Sequence, residues 1–312
     1  MNFDFGEVLT RAGQITWKHK VLWLYSALPT LLSFLVFPVV FLPIFFTDFN
    51  SSRPPFFAEQ PIYILLFIGF IFFANLVSFA LYGIASSSVT VGVVQVEDGA
   101  EKLGISSLLE DGRKFWLRIL GVMLLVGIGV ALVFFVIFGC FTLIGVVTMG
   151  IGFICLQPAI LLMYPLMLVL YGIIEESLVA VVADNLSVTD AIKRGWELVK
   201  GNFWRIVLIS LIVYLGVGIL SAIVIIPFMI PFFFTPFFMQ DASNFDPRTM
   251  MIVMSAISLL LIPVMAVVQG ITMTFLKATY AIVYLRLTRK PESKPDVDSD
   301  DSDKTIIAGA NA

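Results

Sequence analysis

A few polar residues lie in stretches of sequence that are otherwise almost entirely apolar. Glu175 and Glu176 occur in "GIIEESLVAVV", Lys277 in "FLKATYAIVY" and Ser87 in "IASSSVTV". Polar groups are costly in apolar surroundings, so those that are kept there are the first candidates for a functional site. The chemistry open to them is pairing of opposite charges or binding of a polar ligand.

The three stretches also align with one another. Setting Ser177 against Thr279 places Glu175 opposite Lys277, and an offset of 88 residues brings Ser87 to the same position. We therefore predict that these positions surround a pseudo-threefold axis and line a polar cavity, with Glu175 and Lys277 forming an ion pair. The alternative is that the charged side chains snorkel to a membrane surface.

The sequence offers little support for catalysis. His19 is the sole histidine and lies in the basic cluster "WKHK". We find no metal-ligand spacing, no nucleophile elbow and no glycine-rich phosphate loop. The prediction is that the chain is not an enzyme and has no catalytic, cofactor-binding or metal-binding residues.

The candidate polar residues must be positioned by membrane-spanning helices. Of the 312 residues, 59% are hydrophobic and 13% charged, and the mean hydropathy is +1.00. Since about 20 apolar residues span a bilayer, we predict an all-α polytopic membrane protein with six transmembrane helices. The predicted spans are Val21–Phe46, Pro61 to beyond Gly83, two spans within Trp116–Ile174 separated near glycines 139 to 152, Phe203 to about Phe238, and Met250 to Lys277 or beyond.

The distribution of lysine and arginine predicts the orientation. Sixteen of these residues fall in the termini and in alternate connections, whereas the opposite connections hold only Arg53 and Arg248. Positive residues are retained on the cytoplasmic side. We predict a multi-pass protein of the inner (plasma) membrane, with both termini in the cytoplasm.

An amphipathic helix is predicted between the fourth and fifth spans, in "SVTDAIKRGWELVKGNFWRI". Ser187 and Asp190 resemble a capping box, Lys200 suits the last turn, and Gly201 is predicted to supply a left-handed stop. The apolar stripe of this helix would be Val188, Ile192, Trp196, Val199 and Phe203. Such a helix fits the headgroup region of a membrane. The alternative is a helix packed on the protein's own surface, and both can hold.

Two further segments resemble this helix. One is Ile105–Leu120, before the third span, and the other is the N-terminus, where Phe5, Val8, Ala12 and Ile15 form a stripe beneath an Asp4 cap. The exposed faces of these helices are candidate interfaces with lipid or a partner protein. The residues proposed for these faces are Trp17, Lys18, Arg113, Lys114, Trp116, Lys193, Arg194, Trp196, Lys200, Trp204 and Arg205.

These similarities predict an internal repeat. Residues 1–290 would form one membrane domain of three parallel units, at about 1–97, 98–183 and 184–290, each an interfacial amphipathic helix followed by a two-span hairpin. "FLPIFFTDF" (41–49) and "MIPFFFTPF" (229–237) support the first and third units. Residues 291–312, rich in acids, are predicted to be a disordered cytoplasmic tail.

The segment "LVAVVADNLSVTDAIKRGWELVKGNFWRIVLISL", with "TYAIVYLRLTR" near the end, resembles the six-span membrane domain of some bacterial glycerophosphoryl diester phosphodiesterases. It is similar also to the stand-alone, mostly uncharacterised, membrane proteins related to that domain. Gly195 stands where that family commonly has serine. The phosphodiesterase chemistry needs paired histidines and metal-binding carboxylates, which one His19 does not supply. The resemblance therefore implies a membrane fold without the hydrolase activity.

Two classes of function follow as expectations. The first is a non-catalytic accessory or scaffold that acts on lipid or on a partner protein at the cytoplasmic face. The second is a permease or lipid-handling transporter with a polar cavity near the repeat axis. Membrane lipids and a membrane or cytoplasmic protein are the expected partners, and nucleic acid is not.

Overall fold

The protein is helical throughout the part of the chain that the structure, a computed structural model, describes: residues 4–32, 61–148, 150–238 and 247–289. No strand occurs in these ranges. Eight helices are present within them: α1 (Phe5–Lys18), α2 (Val21–Leu32), α3 (Pro61–Glu97), α4 (Ile105–Val147), α5 (Ile151–Ala183), α6 (Val188–Gly201), α7 (Phe203–Phe238) and α8 (Pro247–Thr288).

Helices α3, α4, α5, α7 and α8 contain segments long and apolar enough to cross a membrane. The fold is therefore that of a membrane-embedded helical protein, as composition predicted. The first predicted span is described only as far as Leu32, where it forms the shorter apolar helix α2. The rest of that span, the 41–49 half of the sequence match and the acidic tail lie outside the described residues.

Helices α3, α5 and α8 contact one another and form the centre of the bundle. Helix α4 packs on α3 and α5, α7 packs on α5 and α8, and α1 packs on α8. The polar residues buried in this structure lie mostly on the three central helices, between Ser86 and Thr90, between Glu175 and Ser177, and between Thr272 and Thr279. The centre of the bundle therefore carries the candidate site.

The turn between α4 and α5 is at the predicted place. Gly150 has a φ of 92°, and its amide donates to the carbonyl of Gly145 at 2.7 Å. A left-handed backbone of this kind favours glycine, which has no Cβ to clash with the chain.

One end of the bundle is polar. There α1 is joined to the ends of α3 and α8 by ion pairs from Arg11 to Glu97 at 2.7 Å and from Arg286 to Glu7 at 2.8 Å. The Arg286 guanidinium lowers the pKa of the exposed Glu7 carboxyl below its ordinary value, first through the hydrogen bond and then through charge attraction. Asp4 begins α1 by accepting from the amides of the next turn. The N-terminal helix is thus tied to the end of the last helix.

The second predicted amphipathic helix is not a separate element. Ile105–Val147 forms one continuous helix, which carries the segment Ile105–Leu120 directly into the span. The physical reason is the local sequence. Asn202 caps α6 and separates it from α7, whereas the corresponding part of α4 contains the good helix formers Arg113, Lys114 and Leu117 and continues without a break.

Another local prediction was wrong. Gly201 does not supply a left-handed stop; it is the last residue of α6, and Asn202 follows with a φ of −127°. Helix α7 continues through Pro227, Pro231 and Pro236 as far as Phe238.

The predicted stripe of α6 is confirmed at Val199, which is buried, and at Val188 and Ile192, which pack against the core. Trp196 and Phe203 were misassigned because both are exposed, and Ala191, Gly195 and Leu198 also face the bundle. Small residues occupy the side of α6 that faces α5 because the two helices approach each other closely. A Cβ on Gly195 would lie 2.8 Å from the carbonyl oxygen of Ile173 and 2.9 Å from the amide of Ser177. The stripe on α1 is confirmed at Val8, Ala12 and Ile15.

Candidate functional site: a buried polar cluster and an exposed basic collar

Glu175 on α5 and Lys277 on α8 form an ion pair in the centre of the bundle. The Lys277 ammonium donates to both oxygens of the Glu175 carboxylate, at 2.9 and 2.7 Å. The side chains retain only 4% and 2% of their exposure, so both charges are removed from water together. The pairing predicted from the sequence is confirmed. Snorkelling to a surface, the alternative for these two residues, is wrong because both side chains are buried and bonded to each other.

Tyrosine rings surround the pair. The Lys277 ammonium lies 5.7 Å from the centroid of the Tyr82 ring, on α3. On the other side, Tyr171 packs edge-on against Tyr214 at 4.7 Å and Tyr280 at 5.9 Å. The Tyr280 hydroxyl donates to Ser210 at 2.7 Å. An ammonium near an aromatic face is stabilised by the ring quadrupole, so Tyr82 adds to the pairing.

Helical spacing explains how the chain brings these groups together. Tyr82 and Ser86 are four residues apart, as are Tyr171 and Glu175, so each tyrosine lies one turn from the polar residue on the same face. Sequence reasoning missed the tyrosines, although this four-residue spacing on two helices was visible. Lys277 reaches the same place from α8.

The predicted alignment of α3 with α5 needs a correction. Ser88 is approached by Gly112 of α4 in the way that Ser177 is approached by Gly195 of α6, with a Cβ on Gly112 3.0 Å from the Ser88 amide. These two serines are 89 residues apart, not 88. Under this register Ser86, not Ser87, corresponds to Glu175. Ser87 is buried, but its hydroxyl donates to the carbonyl of Ile84 on its own helix at 2.8 Å.

Glu176 is placed differently from its neighbour. It is fully buried, and among the described residues neither of its carboxylate oxygens has a hydrogen-bond partner. The hydroxyls of Ser86 and Ser88 are likewise buried without partners there. Buried polar side chains nearly always have partners, so this group of residues stands out.

The candidate interface residues separate into exposed and internal ones. The tryptophans Trp17, Trp196 and Trp204 are 62%, 55% and 79% exposed. We call the exposed tryptophan, lysine and arginine residues of α1, α6 and the start of α7 the basic collar; it consists of Trp17, Lys18, Lys193, Trp196, Lys200, Trp204 and Arg205.

The remaining candidates contribute less to this surface. Arg113 is exposed on α4, and Lys114 is exposed but paired with Asp111 at 2.7 Å. Trp116 is partly buried, and its indole N–H donates to the carbonyl of Ala80 at 2.9 Å. Arg194 is partly buried and bonds to the hydroxyl of Tyr284. Trp116 and Arg194 therefore hold helices together and do not form an outward face.

No group of three or more metal-ligating side chains occurs within the described ranges. No curated protein and no solved structure resembles the chain closely enough to count as a match. The resemblance to the phosphodiesterase membrane domain stays a prediction. A protein-family model does match residues 27–283, and it is described as a domain of unknown function, DUF7847. Because the match covers most of the 312 residues, the chain belongs to the DUF7847 family.

Proposed function

We propose that this protein is a non-catalytic membrane scaffold that holds anionic lipid headgroups against its cytoplasmic face through the basic collar. In this proposal the membrane domain consists of six spans in three parallel units, both termini are cytoplasmic, and the protein belongs to the inner membrane. Proteins organised by those lipids would be secondary partners.

The observation that carries the proposal is the outward face of α6. Lys193, Trp196 and Lys200 follow one another at three and four residues, so they lie on one side of the helix, and all three are exposed. Neither lysine forms an ion pair within the described part of the chain. The opposite side is packed on α5. The charged face is thus held in place and left open.

The chemistry of this face matches a membrane surface. Tryptophan prefers the level of the headgroups, where its ring is partly apolar and its N–H can remain hydrated. Lysine near an anionic lipid surface contributes about 1 kcal/mol of binding. Trp17 and Lys18 at the end of α1 repeat the combination on another side of the bundle. Exposed tryptophans beside unpaired lysines therefore favour lipid over bulk water as the neighbour of the collar.

The experiment is lipid binding by the purified protein in a mild detergent. Phosphatidylglycerol should raise the melting temperature more than phosphatidylcholine does. The double substitution Lys193→Glu with Lys200→Glu should abolish that difference. Glu197→Lys provides the matched control, because Glu197 is exposed between the two lysines on the same face. This change should enlarge the difference.

Two outcomes would contradict the proposal. One is equal stabilisation of the wild-type protein by both lipids. The other is an anionic preference that survives the double substitution while the variant remains folded.

A second candidate, a permease or lipid-handling transporter, is favoured by one observation, the cluster of the ionisable residues Glu175, Glu176 and Lys277 inside the bundle. Intramembrane ionisable residues commonly mark ion or substrate pathways. If this second function is correct, Glu175→Gln should abolish uptake of a substrate into vesicles while the protein still folds. The collar variants should leave that uptake nearly unchanged.

A further inference from the structure

Glu176 is a buried acid that the neighbouring ion pair does not neutralise. The Lys277 ammonium donates to both oxygens of Glu175, and no such contact reaches Glu176. The Glu176 side chain is nevertheless fully enclosed. A carboxyl group in this position needs a positive charge from somewhere other than Lys277.

The groups around it do not provide that charge. On α5 itself the preceding residue is Glu175, a second acid. The titratable rings at the centre of the bundle are Tyr82, Tyr171, Tyr214 and Tyr280. The cations whose side chains the structure describes on the helices packed on α5 are Arg113, Lys114 and Arg118 on α4, Lys193, Arg194 and Lys200 on α6, Arg205 on α7, and Lys277 and Arg286 on α8.

Each cation in that set is directed elsewhere. Lys277 bonds to Glu175, and Arg194 bonds to the Tyr284 hydroxyl. The other cations of the set are all exposed, and none of them bonds to Glu176. The tyrosines are neutral, and the Tyr280 hydroxyl donates a hydrogen bond to Ser210. Within the described residues, therefore, the protein supplies no fixed cation to Glu176.

We propose that Glu176 is a proton-binding site in the interior of the helix bundle. One carboxyl oxygen carries the proton, so that the group is buried as a neutral acid beside the Glu175–Lys277 pair. Ionisation transfers this proton to water and leaves a carboxylate that requires a replacement cation. An isolated buried charge is far more costly than a neutral polar group, which is the reason for the assignment. The site is separate from the basic collar and does not depend on lipid binding.

Infrared spectroscopy of the purified protein in a maltoside detergent, which contains no carbonyl group, tests this directly. A protonated carboxyl group has a C=O stretching band that ionised carboxylates lack and that shifts when water is exchanged for D₂O. At about pH 8 exposed aspartate and glutamate are ionised, so only a buried acid can retain the band. We expect the band in the wild-type protein and its loss in Glu176→Gln. Glu197→Gln, which removes an exposed acid one helix away, should keep it.

Three results would overturn the proposal. The first is the absence of the band at about pH 8 in the wild-type protein, since a neutral acid must produce it. The second is a band that survives in Glu176→Gln. The third is a band that disappears when sodium or potassium ions are added, because an alkali cation would then be the bound charge. If Glu176→Gln does not fold, Glu176→Asp replaces it, and a shifted band is the expected result.

Discussion

At the scale of single residues, the Glu175–Lys277 pair is important because each charge is costly without the other. Removing a carboxylate or an ammonium from water costs several kcal/mol, and a close partner offsets much of that cost. Here both carboxylate oxygens are used, and Tyr82 faces the ammonium. The pair therefore fixes α5 and α8 in one relative position.

The first prediction concerns this pair. Glu175→Lys and Lys277→Glu should each destabilise the protein by about 3–5 kcal/mol, because each leaves two like charges buried. The double exchange should recover most of the loss. Thermal unfolding in detergent measures both effects. Reversing the exposed pair Asp98–Arg289 in the same way should change the melting temperature little, since water screens it. A double exchange no more stable than the single variants would show that the two side chains do not depend on each other.

The second prediction concerns Gly195. Gly195→Ala places a Cβ against the backbone of Ile173 and Ser177, so α6 must shift away from α5 at a cost of about 1–3 kcal/mol. Gly201→Ala is the matched control on the same helix, because a Cβ there meets nothing within 4 Å. It should be neutral or stabilise slightly through the helix propensity of alanine. Equal melting temperatures for the two variants would rule out the close approach of α6 and α5.

The charged pair could be predicted from the sequence because two unusual residues aligned at equivalent places in apolar helices. The close approaches at Gly112 and Gly195 favour Ser86 over Ser87 as the serine that corresponds to the pair. The 88-residue offset came from the Phe115-Trp116 and Phe203-Trp204 matches, but Phe203 follows the end of α6, whereas Phe115 lies inside the continuous helix α4. Glu176 could not be distinguished from Glu175 without knowing which direction each side chain takes.

At the scale of elements, α1 holds the ends of α3 and α8 together at the polar end of the bundle. Its apolar face of Val8, Ala12 and Ile15 is buried, and α1 packs on α8. Arg11 and Glu7 join it to α3 and α8. The helix is only 14 residues long. Short helices are marginal alone, so its order depends on these contacts.

The third prediction concerns His19 at the junction of α1 and α2. Burial lowers the pKa of its imidazole below 6.5, and the positive charges of Lys18 and Arg11 lower it further. The unfolded chain therefore binds a proton more readily than the folded one. Stability from the neutral ring is present above about pH 6.5 and is lost as the pH falls through the folded-state pKa.

Hydrogen exchange of the α1 amides measures this effect. Exchange corrected for its intrinsic pH dependence should accelerate as the pH falls below about 6.5. His19→Gln should remove that acceleration, and Glu197→Gln should not. An α1 whose protection does not change over this range would exclude a role for the imidazole.

The sequence predicted the existence of most elements better than their boundaries and faces. Long apolar runs gave α3, α5, α7 and α8 because a span needs about 20 such residues. The prediction that an amphipathic helix ends before the third span was wrong. The chain remains helical across Lys114 at little cost, whereas Asn202 ends α6. Trp196 was misassigned to the buried face of α6 because it counts as apolar in a periodic pattern yet lies outward.

At the scale of the whole molecule, the first helix packs against the last. α6 packs on α5, the first part of α4 packs on α3, and α1 packs on α8, so each central helix has one such partner at the polar end. This arrangement supports the proposed three units. In that arrangement α1 belongs to the first unit and α8 to the third, so the contact between them would join the third unit to the first.

The proposed function requires that this polar end face the cytoplasm, because only then can the basic collar contact cytoplasmic lipid. In a background with Cys140 and Cys155 replaced by alanine, Lys193→Cys marks the collar and Thr148→Cys marks the turn between α4 and α5 at the other end. A membrane-impermeant maleimide is then added to intact and to lysed cells. We predict that Thr148→Cys reacts in intact cells and that Lys193→Cys reacts only after lysis. Reaction of Lys193→Cys in intact cells would contradict the account.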